Sequence, residues 1–267
     1  MSWIEALILG LVQGLTEFLP VSSSGHLIIG KELLPVELKP GAETTFEVLV
    51  HCATVMSTIF VFRGEIWKLL QGVFKFRMNE ESQYVIKICV SMIPVMIVGL
   101  FFKDEVKTIF GEGAVLVGWM LLVTAILLMI THLVKFKQQK EISYLGAFII
   151  GVSQAIAVLP GLSRSGATIS TGLLLGNKRA DVAQFSFLMV LVPILGETFL
   201  NILGGDFSPE TSGISMTAMI VGFLAAFISG LFACKVMIAI VKRSKLIYFA
   251  GYCAIVGVAT LIWQMLI

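Results

Sequence analysis

Between Gln13 and His26 the chain reads Gln-Gly-Leu-Thr-Glu-Phe-Leu-Pro-Val-Ser-Ser-Ser-Gly-His, a carboxylate, hydroxyls and an imidazole gathered at the end of an apolar run. Gln13 and Glu17 are four apart and share one face of a helix, which Pro20 then ends. Ser22, Ser23, Ser24 and Gly25 open a second helix, headed by His26. Unpaired backbone N–H groups and the local dipole at such a start favour an anion, although the same serines would also serve as an ordinary N-cap. An ionisable group at membrane depth costs on the order of 3 kcal/mol, and functional use is the usual reason for its being there. Glu17 is therefore a candidate acid or base; the plainer reading has it reach the membrane interface.

A second stretch, Pro160-Gly161-Leu162-Ser163-Arg164-Ser165-Gly166-Ala167-Thr168, repeats this loop with a cation at its tip. A guanidinium flanked by Ser163, Ser165, Gly166 and Thr168 suits a phosphate oxygen bidentately. The alternative is an internal salt bridge to Glu17, and the two are compatible if Arg164 holds Glu17 until substrate arrives. Taken together, the two stretches offer helix N-termini, an arginine, hydroxyls, a carboxylate and a histidine. That set fits phosphoryl chemistry better than acyl transfer, because Gly-x-Ser-x-Gly and a Ser-His-Asp order are both absent. Glu47, at the start of an apolar run, is a second-tier candidate for the same cavity, and His51 and His132 are assigned interfacial roles. Cys52, Cys89, Cys234 and Cys253 lie singly in apolar runs without Cys-x-x-Cys spacing, which points to packing rather than zinc or disulfides.

Elements able to position these groups are dictated by composition. With 57% hydrophobic residues, 13% charged and a mean hydropathy of +0.97, the chain is an all-α integral membrane protein, since a soluble chain carries about twice the charge. The net charge of +2 gives no reason to expect a nucleic-acid partner. Residues 2–19 resemble a signal peptide in length, but Glu5 stands in place of a basic start and the run ends in Glu17 and Pro20; they are read as part of the fold. Runs long enough to cross about 30 Å of hydrocarbon fall near 46–62, 85–102, 114–134, 183–203, 214–241 and 246–266. Two more, 3–34 and 144–176, are broken at Pro20–Gly25 and Pro160–Gly166 and read as re-entrant helix-loop-helix pairs.

The broken runs match without a gap at an offset of 141: Gly10 on Gly151, Gln13 on Gln154, Ser22 on Ser163, Ser24 on Ser165, Gly25 on Gly166 and Ile28 on Ile169. One membrane domain over 1–267 thus divides into units 1–140 and 141–267. Each has one re-entrant pair and three spans, and the odd number of crossings makes the repeat inverted. Basic residues gather around 63–87, 135–140, 178–179 and 242–245, while the other side dilutes Lys31, Lys39, Lys103 and Lys107 with acids and has an acidic loop at 204–213. The positive-inside rule then places both termini and the first re-entrant mouth outside.

With Gln-x-x-x-Glu followed by Pro-Val-Ser-Ser-Ser-Gly-His, Thr-Phe-Glu at 45–47 and Pro-Gly-x-Ser-Arg-Ser-Gly-x-Thr at 160–168, the whole chain resembles the undecaprenyl-pyrophosphate phosphatase family, also called the bacitracin-resistance protein family. The resemblance implies a bacterial inner-membrane hydrolase. Its substrate would be a C55 isoprenoid pyrophosphate, cleaved to the monophosphate and inorganic phosphate to recycle the carrier lipid of wall synthesis. It implies that Glu17 is the catalytic carboxylate, that Ser23 and His26 are candidates for nucleophile or base, and that Arg164 binds phosphate. It also implies a divalent cation, magnesium or calcium, with Glu17 as its protein ligand and most of its coordination from the pyrophosphate. Members of the family can carry glutamate where this chain has Gln13, so this motif offers one carboxylate instead of two and leaves Glu17 as its principal acid.

A rival from another class is a lipid flippase or secondary transporter for a phosphorylated substrate, since inverted repeats around a midplane polar site are also transporter architecture. Gly222, Ser229 and Gly230 offer a close helix contact, either within the chain or in a homodimer.

Overall fold

The computed structural model describes residues 1–34, 42–102, 105, 108–109, 113–134, 140–204, 207, 212–242 and 246–266. The loop charges expected at Glu37, Lys39, Lys103, Asp104, Lys107, Glu112, Lys135, Lys137, Asp206, Glu210, Arg243 and Lys245 lie outside the described residues.

Twelve helices run through the described residues: α1 Trp3–Phe18, α2 Ser23–Leu33, α3 Ala42–Val61, α4 Arg63–Val73, α5 Glu80–Phe101, α6 Gly113–Leu133, α7 Tyr144–Ile156, α8 Arg164–Leu174, α9 Arg179–Met189, α10 Leu191–Gly204, α11 Met216–Lys242 and α12 Ile247–Leu266. Six stretches are long and apolar enough to cross a membrane: Thr44–Val61, Glu80–Phe101, Gly113–Leu133, Arg179–Gly204, Met216–Val241 and Ile247–Leu266. They coincide with the six runs read from the sequence. The fourth is not one helix, because it breaks at Val190 between α9 and α10. Pro193 has no N–H to give the Met189 carbonyl, so the helix restarts there.

The two broken runs become α1–α2 and α7–α8, none of which is among the six. Their second arms have 11 residues each, about 16 Å of helix against about 30 Å of hydrocarbon. Ser2 and Ser143, the offset of 141 apart, both cap the first arm, accepting from the N–H groups of Glu5 and Gly146. Each first arm packs at glycine distance on a long helix of the other half. A Cβ on Gly10 would meet the Gly222 carbonyl of α11 at 2.4 Å, and one on Gly151 would meet the Ser91 carbonyl of α5 at 2.1 Å.

Two expectations change with the structure, and one that was open between two alternatives is decided. The segment 63–87, read as a loop, contains α4, because Ile66 and Leu69 repeat at helical spacing and pack on the largest core cluster. Gly222, Ser229 and Gly230 are used within the chain, Gly222 against Phe46, Ser229 against Gly14 and Gly230 against Ser57 and Phe18. Of the cysteines, Cys234 and Cys253 are buried in the packing, whereas Cys89 is exposed.

Candidate active site

The two helix-pair tips interlock. A Cβ on Gly25 would lie 3.0 Å from the Gly161 Cα, and one on Gly166 would lie 3.4 Å from the Pro20 Cβ, which are the same contact under the offset of 141. Gly161 has φ +90° and its missing Cβ faces the Val117 backbone at 2.7 Å, so only glycine fits there. Ser22 takes φ +68° without being glycine, a strain on the order of 1–3 kcal/mol that the surroundings must hold. Its hydroxyl accepts from the Gly25 N–H at 3.3 Å, and its carbonyl lies 2.8 Å from the His26 Nδ1.

Glu17, buried at the end of α1, is the hub. Its Oε2 accepts from the Ser23 hydroxyl at 2.5 Å and from Gln13 Nε2 at 2.9 Å, and His51 Nε2 stands 3.5 Å away. Its Oε1 is paired with Arg164 Nη2. The internal salt bridge weighed from the sequence is thus present, while the Nε and Nη1 of Arg164 are buried without a partner among the described residues. A buried guanidinium with two unspent donors is costly unless something arrives to accept from them.

Around this hub lies a cavity of about 270 Å³, lined among others by Thr16, Glu17, Ser22, Ser23, Ser24, Thr44, Glu47, His51, Ser163, Arg164, Ser165 and Glu197. Glu47 reaches it from α3 while paired with Lys31 at 2.7 Å. Ser24 faces it beside Ser22, with their hydroxyls 3.4 Å apart. Ser163 and Ser165 repeat that spacing at 3.3 Å, and Ser165 donates to the Leu19 carbonyl. The N–H groups of Gly25 and Gly166 are spent on the capping hydroxyls of Ser22 and Ser163, so these glycines shape the turns instead of presenting donors to the cavity. Thr168 is turned inward, 2.6 Å from Ser186.

His26 is not among the lining residues. Its ring stacks on Tyr252 with centroids 5.6 Å apart, and its Nε2 lies 2.8 Å from the Tyr252 hydroxyl of α12. With Nδ1–H donated to Ser22, Nε2 is the acceptor and Tyr252 the donor. The imidazole beside Glu17 is instead His51, which the sequence reading had assigned to the interface. Its position four residues after Glu47 was the available signal, because that spacing puts both on the cavity face of α3. Glu197 was missed because it stands alone in an apolar run of the sequence.

Glu17 does not fit the role of a metal ligand, since donors occupy both its oxygens and one donor is a guanidinium. Among the described residues no group of three or more His, Cys, Asp or Glu side chains could hold an ion.

Fold and cavity define a multi-pass helical membrane protein with a buried polar site where two broken helix pairs meet. A family model described as bacitracin resistance protein BacA matches residues 6–259. Relatives named undecaprenyl-diphosphatase include one from Bacteroides fragilis, 58% identical over all of both chains. Another, from Parabacteroides distasonis, is 57% identical over all of both chains. A third, from Carboxydothermus hydrogenoformans, is 37% identical over 99% of this chain and 98% of its own. The chain belongs to the BacA family.

Proposed function

We propose that this protein hydrolyses undecaprenyl pyrophosphate to undecaprenyl phosphate and inorganic phosphate, recycling the wall-synthesis carrier and conferring bacitracin resistance. Its family and its relatives' names support the activity, and one observation supports the chemistry: Ser23 and Arg164 converge on Glu17 from different helix pairs. At about 270 Å³ the cavity sits at the lower edge of ligand pockets of roughly 300–1,000 Å³. It suits a pyrophosphate head, with the isoprenoid tail lying outside among the spans.

The terminal phosphate accepts from Arg164 Nε and Nη1, the donors that have no partner among the described residues. Ser23 Oγ attacks the terminal phosphorus as its proton passes to Glu17 Oε2, and the bond to the bridging oxygen breaks to release the lipid monophosphate. Water then attacks the phosphoserine phosphorus, the P–Oγ bond breaks as Ser23 Oγ takes back the proton held on Glu17, and the water's own proton leaves on the inorganic phosphate. Arg164 offsets the charge on the phosphoryl oxygens throughout. His26 acts through the turn, holding the strained Ser22 that presents Ser23. A divalent cation, magnesium or calcium, would be held by the pyrophosphate oxygens rather than by Glu17.

The matching caps, glycine contacts and interlocked tips support two re-entrant pairs in an inverted repeat, 1–140 and 141–267. Loop charge supports termini outside and a cavity facing the periplasm. A homodimer through Gly222, Ser229 and Gly230 would need those residues at the surface, and the chain itself covers them. The test is phosphate release from a prenyl pyrophosphate by purified protein, then by oriented vesicles with substrate added to one face at a time. The reading requires release, from the periplasmic face, that Glu17→Ala and Arg164→Ala nearly abolish. A flippase or transporter would release none, and release confined to the cytoplasmic face would reverse the orientation.

A further inference from the structure

The short helix α4 and the turn after it, at the far end of α3 from the cavity, serve no part of that chemistry. Around α4 three stripes are distinct. Ile66, Leu69 and Gly72 face the bundle, where Ile66 and Leu69 pack on the core. Trp67, Leu70 and Phe74, at helical spacing, face outward, with 62%, 45% and 69% of their surface exposed. Beside them runs a polar stripe of Lys68, Gln71 and Lys75. A helix with one face on protein, one apolar face outward and one basic face between them lies in the plane of a membrane surface.

The following turn continues the pattern. Phe76 is 89% exposed and held at φ +49°, a backbone conformation that aromatic residues rarely adopt, and Met78 is 71% exposed. The turn is pinned from behind: Asn79 Nδ2 donates to the Gly72 carbonyl at 2.9 Å, and Asn79 caps α5 through the Ser82 N–H. Lys68 leans toward Glu81 at 3.9 Å. Lys75 and Arg77 have no carboxylate within ion-pair distance among the described residues. An open groove follows the seam between the stripes, lined by Trp67, Leu70, Gln71, Phe74 and Lys75.

We propose that this seam is a binding site for an anionic glycerophospholipid of the surrounding leaflet. Its acyl chain lies along Trp67, Leu70 and Phe74, and its phosphate sits between Lys75 and Arg77. Charge complementarity selects the occupant: the apolar stripe accepts any lipid tail, but Lys75 in the groove and Arg77 two residues on, neither with a carboxylate at ion-pair distance among the described residues, distinguish an anionic headgroup from a zwitterionic one. This site is separate from the cavity and does not depend on the reaction proposed there.

The test is native mass spectrometry of the detergent-purified full chain, loaded with equal amounts of phosphatidylglycerol and phosphatidylcholine. Wild type should retain phosphatidylglycerol at least about tenfold more than phosphatidylcholine, and K75Q/R77Q should bring the two to parity. K178Q/R179Q, which removes two cations from another loop, should leave the preference intact. Raising salt during loading shortens the screening length from about 10 Å at 0.1 M to about 3 Å at 1 M and should erase the wild-type preference, a check that needs no variant. Equal retention by wild type, a preference that survives K75Q/R77Q or high salt, or an equal loss in K178Q/R179Q would each overturn the proposal.

Discussion

At the first tip Ser22 caps α2 and at the second Ser163 caps α8, each through the glycine three residues on, and each lies close to the serine two residues on. The residues between and behind these differ. Position 23 is serine where its equivalent 164 is arginine, and position 17 is glutamate where its equivalent 158 is valine. Because the tips interlock, the two unlike residues at equivalent positions, Ser23 and Arg164, both reach the single carboxylate of Glu17. Gln13 and Gln154 show the same break in symmetry. Both are buried, but Gln13 Nε2 donates to Glu17, whereas neither side-chain polar atom of Gln154 has a partner among the described residues. The site forms where the two tips stop matching.

Changes at the unmatched positions should therefore cost activity, and changes at the matched glycines should cost stability. Ser23→Ala should lower kcat by about 10⁴-fold or more if Ser23 is the nucleophile; near-normal turnover in purified protein would remove it from that role. Arg164→Lys keeps the charge but loses the forked donors, and should cost about 10²–10³-fold in kcat. Gly10→Ala and Gly151→Ala both push a Cβ into a carbonyl of another helix. Each should cost about 1–3 kcal/mol, read as a lowered Tm, and a large shift for one alone would break the equivalence of the two halves.

Gln154→Leu should be neutral or slightly stabilising, because it removes buried polar atoms that have no partner. Gln13→Leu should reduce turnover about tenfold by freeing Glu17. Equal effects of the two on activity would show that the second glutamine shares the chemistry. A modest loss is expected from Tyr252→Phe, which removes the donor to His26 Nε2. A loss of about 1 kcal/mol, some fivefold in kcat with KM unchanged, would mark the pair as a brace; a loss comparable to that of Ser23→Ala would mark His26 as a direct participant.

Much of this was legible in the sequence. Long apolar runs fix the spans, since hydrocarbon leaves backbone polar groups no partners outside the helix. Pro20 and the Ser-Ser-Ser-Gly that follows fix where the first pair breaks, and the repeat at 141 fixes where the second does. Glu17 and Arg164 stood out because ionisable groups in apolar runs are expensive, and Ser23 stood out through the role that the family resemblance implies for it. α4 was hidden by its charges, which at the level of composition resemble a loop. Only its helical spacing separates an inward stripe from an outward one.

The sequence by itself determined a helical membrane protein with two broken helix pairs and a short set of residues able to carry phosphoryl chemistry. Hydrophobicity and spacing along the chain are local properties that any segment states for itself. Only the tertiary structure decided which polar groups meet. It put His51 rather than His26 beside Glu17, turned His26 to Tyr252, and left two donors of Arg164 unspent. Those outcomes depend on helices distant in sequence packing against one another, where the rotation of each helix sets the direction of every side chain it carries.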